Sequence, residues 1–100
     1  MYMLVTYDVE AKRTEKFRKL LAKYLNHEQY SVFSGDITEA KAIELRRTLS
    51  RLMIPGDRVT EITAANRNNV AVVHLVKNES GKGEVQRLPD DSHRRDFTVL

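Results

Sequence analysis

Residues 2–9, YMLVTYDV, are apolar at nearly every position, which predicts a β-strand covered on both faces. Thr6 and the two tyrosines favour the extended backbone. The period then changes. Phe17, Leu20, Leu21, Tyr24 and Leu25 recur at i, i+3, i+4, i+7 and i+8, one face of a helix over 12–25. Lys12, Lys16, Lys19 and Lys23 mark another face of it, and Asn26 is a plausible stop. EQYSVFS, 28–34, reads as a second strand that Gly35-Asp36 breaks. A second helix over 38–53 has Ala42, Leu45, Leu49 and Leu52 as its core stripe, with Lys41, Arg46, Arg47 and Arg51 elsewhere. Asp36 or Thr38 is its N-cap, and Glu39 can complete a capping box from Asp36. Pro55 and Gly56 end it.

Residues 58–64 and 70–77 predict two strands joined by a polar turn, ANRNN. NESGKGE, 78–84, reads as a loop, and DFTVL at the end is β-prone. The order β-α-β-α-β-β plus a tail strand predicts an α+β sandwich of ferredoxin type, with both helices on one sheet face. Residues 1–78 are the core domain; 79–100 are a loop and a C-terminal strand expected to dock on a partner subunit. The second sheet face still needs cover, and no third helix is available. A second copy of the chain stacked around a two-fold axis would supply that cover.

Within this pattern one residue stands out. Strand parity places Leu4, Thr6 and Asp8 on one face and Met3, Val5, Tyr7 and Val9 on the other. If the second set meets the helices, Asp8 faces the second copy, and a two-fold axis brings two carboxylates together. Like charges repel there, and a divalent cation relieves them. Magnesium suits such a site because it prefers oxygen ligands, keeps several waters and needs only one or two carboxylates. The alternative is a strand-end aspartate bonded to backbone in the following loop.

Composition narrows the classes. One hundred residues make one domain, and 41% hydrophobic with 31% charged is ordinary for a chain that folds. The absence of cysteine excludes disulfides and thiolate metal sites. No apolar run approaches the roughly 20 residues of a membrane span, and no basic leader precedes an apolar segment, so a cytoplasmic protein away from membranes is expected. A net charge of +3 pushes weakly toward nucleic acid. Lys12, Arg13, Lys16, Lys19 and Lys23, with Arg46, Arg47 and Arg51, could line a phosphate-binding surface. The alternative is a solvated face with paired acids, such as Glu15 and Lys19 at i, i+4. His27, His74 and His93 lack metal-ligand spacing, and Ser31 has no acid–base partner in sequence. SGKG, 80–83, lacks the spacing of a nucleotide-binding loop.

The joint pattern resembles one family. LVTYDV at 4–9, a basic helix, QYSVFSGDI at 29–37, a second helix and GDRV at 56–59 together resemble CRISPR-associated protein two, the small non-integrase subunit of the spacer-acquisition complex. The resemblance covers roughly 2–75. It implies a ferredoxin-like homodimer with facing sheets and C-terminal strands packed across onto the partner. It further implies that Asp8 binds Mg2+ at the subunit interface, with Tyr7 beside it and Ser31, Val32 and Phe33 close by. Asp8, Tyr7, Ser31 and Phe33 are therefore the candidate catalytic residues, and Arg13, Lys16, Lys19, Arg46 and Arg47 the candidate nucleic-acid contacts. The implied activities are metal-dependent cleavage of single-stranded RNA or double-stranded DNA, and service as the adaptor between integrase dimers that holds a spacer duplex. One departure bears on cleavage: many nuclease-active members carry an arginine just before the Gln-x-Ser-Val-Phe segment, where this chain has His27 and Glu28. A missing cation weakens stabilisation of phosphate charge in a cleavage transition state. A non-CRISPR RNA-binding module on the same fold is a third reading, with Tyr30 and Phe33 as its stacking aromatics.

Overall fold

The computed structural model describes residues 1–76 and 86–89. Its first four strands, β1 (Tyr2–Asp8), β2 (Asn26–Gln29), β3 (Val32–Asp36) and β4 (Arg58–Ala64), form one sheet in the order β2-β3-β1-β4. Every pairing in it is antiparallel. Helix α1 (Thr14–Leu21) links β1 to β2, and helix α2 (Glu39–Leu52) links β3 to β4. This is the ferredoxin-like sandwich that the apolar periods imply, with the most apolar strand at its centre.

Both helices cover the same sheet face. Met3, Val5 and Tyr7 of β1 meet Phe17 and Leu21 of α1 and Ala42, Leu45 and Leu49 of α2, with Phe33 and Ile37 between them. Phe17, Phe33, Met3 and Leu21 are completely buried. Burial of each such side chain contributes about 1.5–3 kcal/mol, so this face carries most of the stability.

Two expectations need correction, and one open alternative is decided. The single strand over 28–34 is a hairpin. Tyr30 takes φ 38°, a left-handed conformation, and a bulge shifts the register between His27 and Gln29. The His27 Nε2 lies 2.7 Å from the Tyr30 carbonyl and fastens the turn. The first helix is shorter than 12–25: a 3-10 turn (Ala11–Arg13) precedes α1, and after Leu21 the Lys23 and Tyr24 amides bond back three residues in a tightened last turn. The cap of α2 is Thr38, whose Oγ1 accepts from the Lys41 amide at 3.1 Å. Asp36 instead pairs with Arg67.

The chain after β4 also departs from expectation. ANRNN contains a 3-10 turn (Arg67–Asn69), started by the Asn66 side chain accepting from the Asn68 amide at 2.8 Å. The next strand, β5 (Val73–Val76), does not continue a hairpin with β4; it pairs with β6 (Gln86–Pro89) in a separate two-stranded sheet. Arg67 reaches Asp36 at the end of β3, and His74 Nε2 lies 3.5 Å from Oε2 of Glu28, within β2. The segment therefore crosses the sheet face opposite the helices, and Tyr2 and Ser34 on that face are almost fully buried. Part of the cover assigned to a second copy is supplied by the chain itself. The terminal strand DFTVL lies outside the described residues.

Candidate functional site

The sheet face opposite the helices has two ends. At the covered end, Ser34 Oγ donates to Glu28 Oε1 at 2.5 Å, and His74 approaches the other carboxylate oxygen. Glu28 is buried, its side chain 6% exposed, so this carboxylate is held by specific partners rather than by water. His74 thus has a structural contact, in keeping with a histidine inside a strand. Sequence reading could not pair these residues, because Glu28 sits at a bulge where strand parity fails.

At the other end, which no described residue covers, stands Asp8, the last residue of β1, with an exposed side chain. Thr6, two residues back on the same face, has its hydroxyl 3.3 Å from that of Ser31. The Ser31 carbonyl accepts from the Tyr7 amide at 3.3 Å, which ties the β2–β3 turn to β1. Asp8 and Ser31 are thus brought to one end of the open face. Tyr7 and Phe33 are not: both lie in the core on the helix side, with ring centroids 6.4 Å apart. Tyr7 also stacks on Phe17 at 5.4 Å. Burial raises the Tyr7 phenol above its ordinary range, outweighing the attraction of Arg18, so it stays protonated. These two rings hold β1 in place from behind Asp8.

Two loops frame the same end. Gly56, at φ 96°, turns the chain into β4 in a conformation that side chains resist. Asp57 follows. Its carboxylate accepts from the Ile54 amide at 2.9 Å and from Arg13, whose second nitrogen donates to the Leu52 carbonyl at 2.8 Å. The Arg13 hydrogen bond, then the amide of Ile54, holds the Asp57 carboxyl below the usual carboxylate range. The residue after Asp57 is Arg58, in register with Asp8 across the β1–β4 ladder. It is an exposed cation that the sequence reading did not single out.

The five basic candidates divide by partner. Arg13 is 12% exposed and committed to Asp57, so its charge is spent inside the fold. Arg46 grips Glu61 with two nitrogens, the nearer at 2.8 Å, which raises its pKa further. Lys16, Lys19 and Arg47 are exposed, and among the described residues they form no ion pair. Glu15 pairs with Arg18, not with Lys19. His27, where nuclease-active relatives were expected to carry a cation nearby, stacks on Phe33 at 4.5 Å and is occupied by the hairpin.

Among the described residues no three His, Cys, Asp or Glu side chains converge on one point. Among the described residues, this end of the sheet offers the exposed carboxylate of Asp8 with the hydroxyls of Thr6 and Ser31 behind it. A hydrated magnesium, which keeps several waters and needs only one or two carboxylates, would fit such a set.

Four antiparallel strands under two helices, with an acidic strand end exposed on the face opposite them, define a ferredoxin-like α+β domain whose second face carries the candidate chemistry. The family model for CRISPR associated protein Cas2 matches residues 1–70, and the chain belongs to that family. A CRISPR-associated endoribonuclease Cas2 from Haloferax volcanii is 41% identical over 59 residues, 59% of this chain and 69% of that protein. One from Thermodesulfovibrio yellowstonii is 42% identical over 52 residues, 52% of this chain and 59% of its own length. A crystal structure of a Cas2 superposes with a TM-score of 0.71 at 33% identity, covering 84% of this chain and 94% of that one. Streptococcus pyogenes Cas2 at pH 6.5 gives 0.60 at 27% identity, covering 69% and 93%. No described helix is long and apolar enough to cross a membrane.

Proposed function

We propose that this chain acts as a homodimer that binds the phosphates of duplex DNA and bridges integrase subunits during spacer acquisition. The observation that carries the reading is the exposed Asp8 at the end of the sheet face that the described residues leave open. Ile62, 60% exposed on the same face, gives a second copy apolar surface to bury beside it. Lys16, Lys19 and Arg47 supply free cations for phosphate, while Arg13 and Arg46 serve the fold.

A second reading, a magnesium-dependent endonuclease, is favoured by the endoribonuclease names of the relatives. In it Asp8 from each chain would hold the metal, and Ser31 would orient the neighbouring water through its hydroxyl. A bound magnesium supplies an acidified water and neutralises phosphoryl charge. One carboxylate per chain is a sparse ligand set, so cleavage is the secondary activity.

The test is Asp8→Asn in the full chain. Cleavage of single-stranded RNA or duplex DNA in Mg2+ should vanish, while integrase-dependent capture of a spacer duplex persists. Capture lost with a folded dimer would favour the enzyme over the adaptor.

A further inference from the structure

Asp8 and Arg58 are opposite one another in the β1–β4 ladder. Directly opposed residues share a sheet face, with Cβ atoms about 4.5–5.5 Å apart. Both side chains are exposed. Opposite charges that close would ordinarily join, as Arg46 and Glu61 do at 2.8 Å and as Arg13 does with Asp57. Among the described residues, however, Arg58 forms neither an ion pair nor a side-chain hydrogen bond, and neither does Asp8. Its backbone is nevertheless anchored on both sides. Asp57 is clamped by Arg13 and the Ile54 amide, and Val59 packs against the core. An exposed guanidinium on a fixed stem, beside a carboxylate with which it does not pair, is arranged to receive an anion from outside.

We infer that Arg58 is the phosphate-gripping residue of the Asp8 site, binding a backbone phosphate of the nucleic acid through its planar fork of donors. This rests on the proposed nucleic-acid function and adds the residue that contacts the phosphodiester beside Asp8. The guanidinium geometry matches two phosphate oxygens at once, which an ammonium cannot do. The chain thereby offers, on one ladder step, an acid for a cation and a base for a phosphate. It also supplies from β4 the positive charge that the His27-Glu28 segment lacks.

The experiment measures binding of a blunt duplex of about 30 base pairs to the full chain over a series of salt concentrations, for wild type, Arg58→Gln and Arg58→Lys. Each phosphate contact contributes about 0.9 to the slope of log affinity against log salt. Arg58→Gln should weaken binding roughly three- to tenfold near 0.1 M salt and reduce that slope by about one per bound chain. Arg58→Lys should keep the slope and recover only part of the affinity, because charge is restored and the fork is not. Both variants should melt with wild-type cooperativity, since the side chain is exposed. A wild-type slope and affinity in Arg58→Gln overturn the inference and leave the adaptor reading standing. A wild-type chain that binds no duplex at any salt overturns both.

Discussion

The two faces of the central sheet are built on different rules. On the helix side, Met3, Val5, Tyr7, Phe33, Phe17, Leu21, Leu45 and Leu49 form one apolar mass with no charge inside it. On the other side, polar residues are held one by one: Ser34 by Glu28, Thr6 by Ser31, Asp36 by Arg67. The first face stabilises the domain through area removed from water. The second contributes less to stability, and among the described residues Asp8 and Arg58 at its far end have no partners. The helix side should therefore respond to side-chain volume, and the open side to charge, pH and salt.

Four substitutions sharpen that contrast. Phe17→Ala should have the largest effect, about 3–5 kcal/mol by urea denaturation, enough to unfold most of a small domain. A loss under about 1 kcal/mol would mean that α1 does not anchor the core. Next is Asp57→Asn, which removes the clamp between the two loops at the site. The folded Asp57 carboxyl titrates below its unfolded value. Its stabilisation is thus complete above the ordinary carboxylate pKa of about 4 and is lost as pH falls through the lower folded value. Melting temperature in the variant should drop at pH 7 and decline less steeply than wild type below about pH 4. Parallel curves would remove Asp57 from the acid response.

Ser34→Ala should cost about 1.5–2 kcal/mol by thermal melting, since it deletes a hydrogen bond to a buried carboxylate. Asp8→Asn should have the smallest effect on folding, within about 0.5 kcal/mol, because the side chain is exposed and forms no bond within the described chain. A strong destabilisation would place Asp8 among the supports of the fold and take it out of the site.

How far the sequence could be read follows the same division. The stripes Phe17–Leu21 and Ala42–Leu45–Leu49 are local, and helical spacing alone reveals them. Strand parity put Asp8 opposite Val5 and Tyr7, because β1 has no bulge to spoil the alternation. Tyr30 hid the β2–β3 hairpin: the turn has no glycine or asparagine, and its left-handed residue is a tyrosine. Arg13 looked like one more cation on a basic helix, since nothing local announces a partner 44 positions away. Arg58 was invisible as a site residue for the converse reason. Its importance comes from the register of β4 on β1, which no sequence period encodes. The Glu28, Ser34 and His74 cluster likewise depends on where the C-terminal segment crosses the sheet.

Strand β2 is four residues long, kinked by its bulge, and forms one border of the sheet. Short, irregular borders make poor templates for further strand addition. The opposite border, β4, exposes Arg58, Thr60 and Glu61. Neither border of the described sheet therefore invites unlimited side-by-side strand addition when copies of the chain are crowded together.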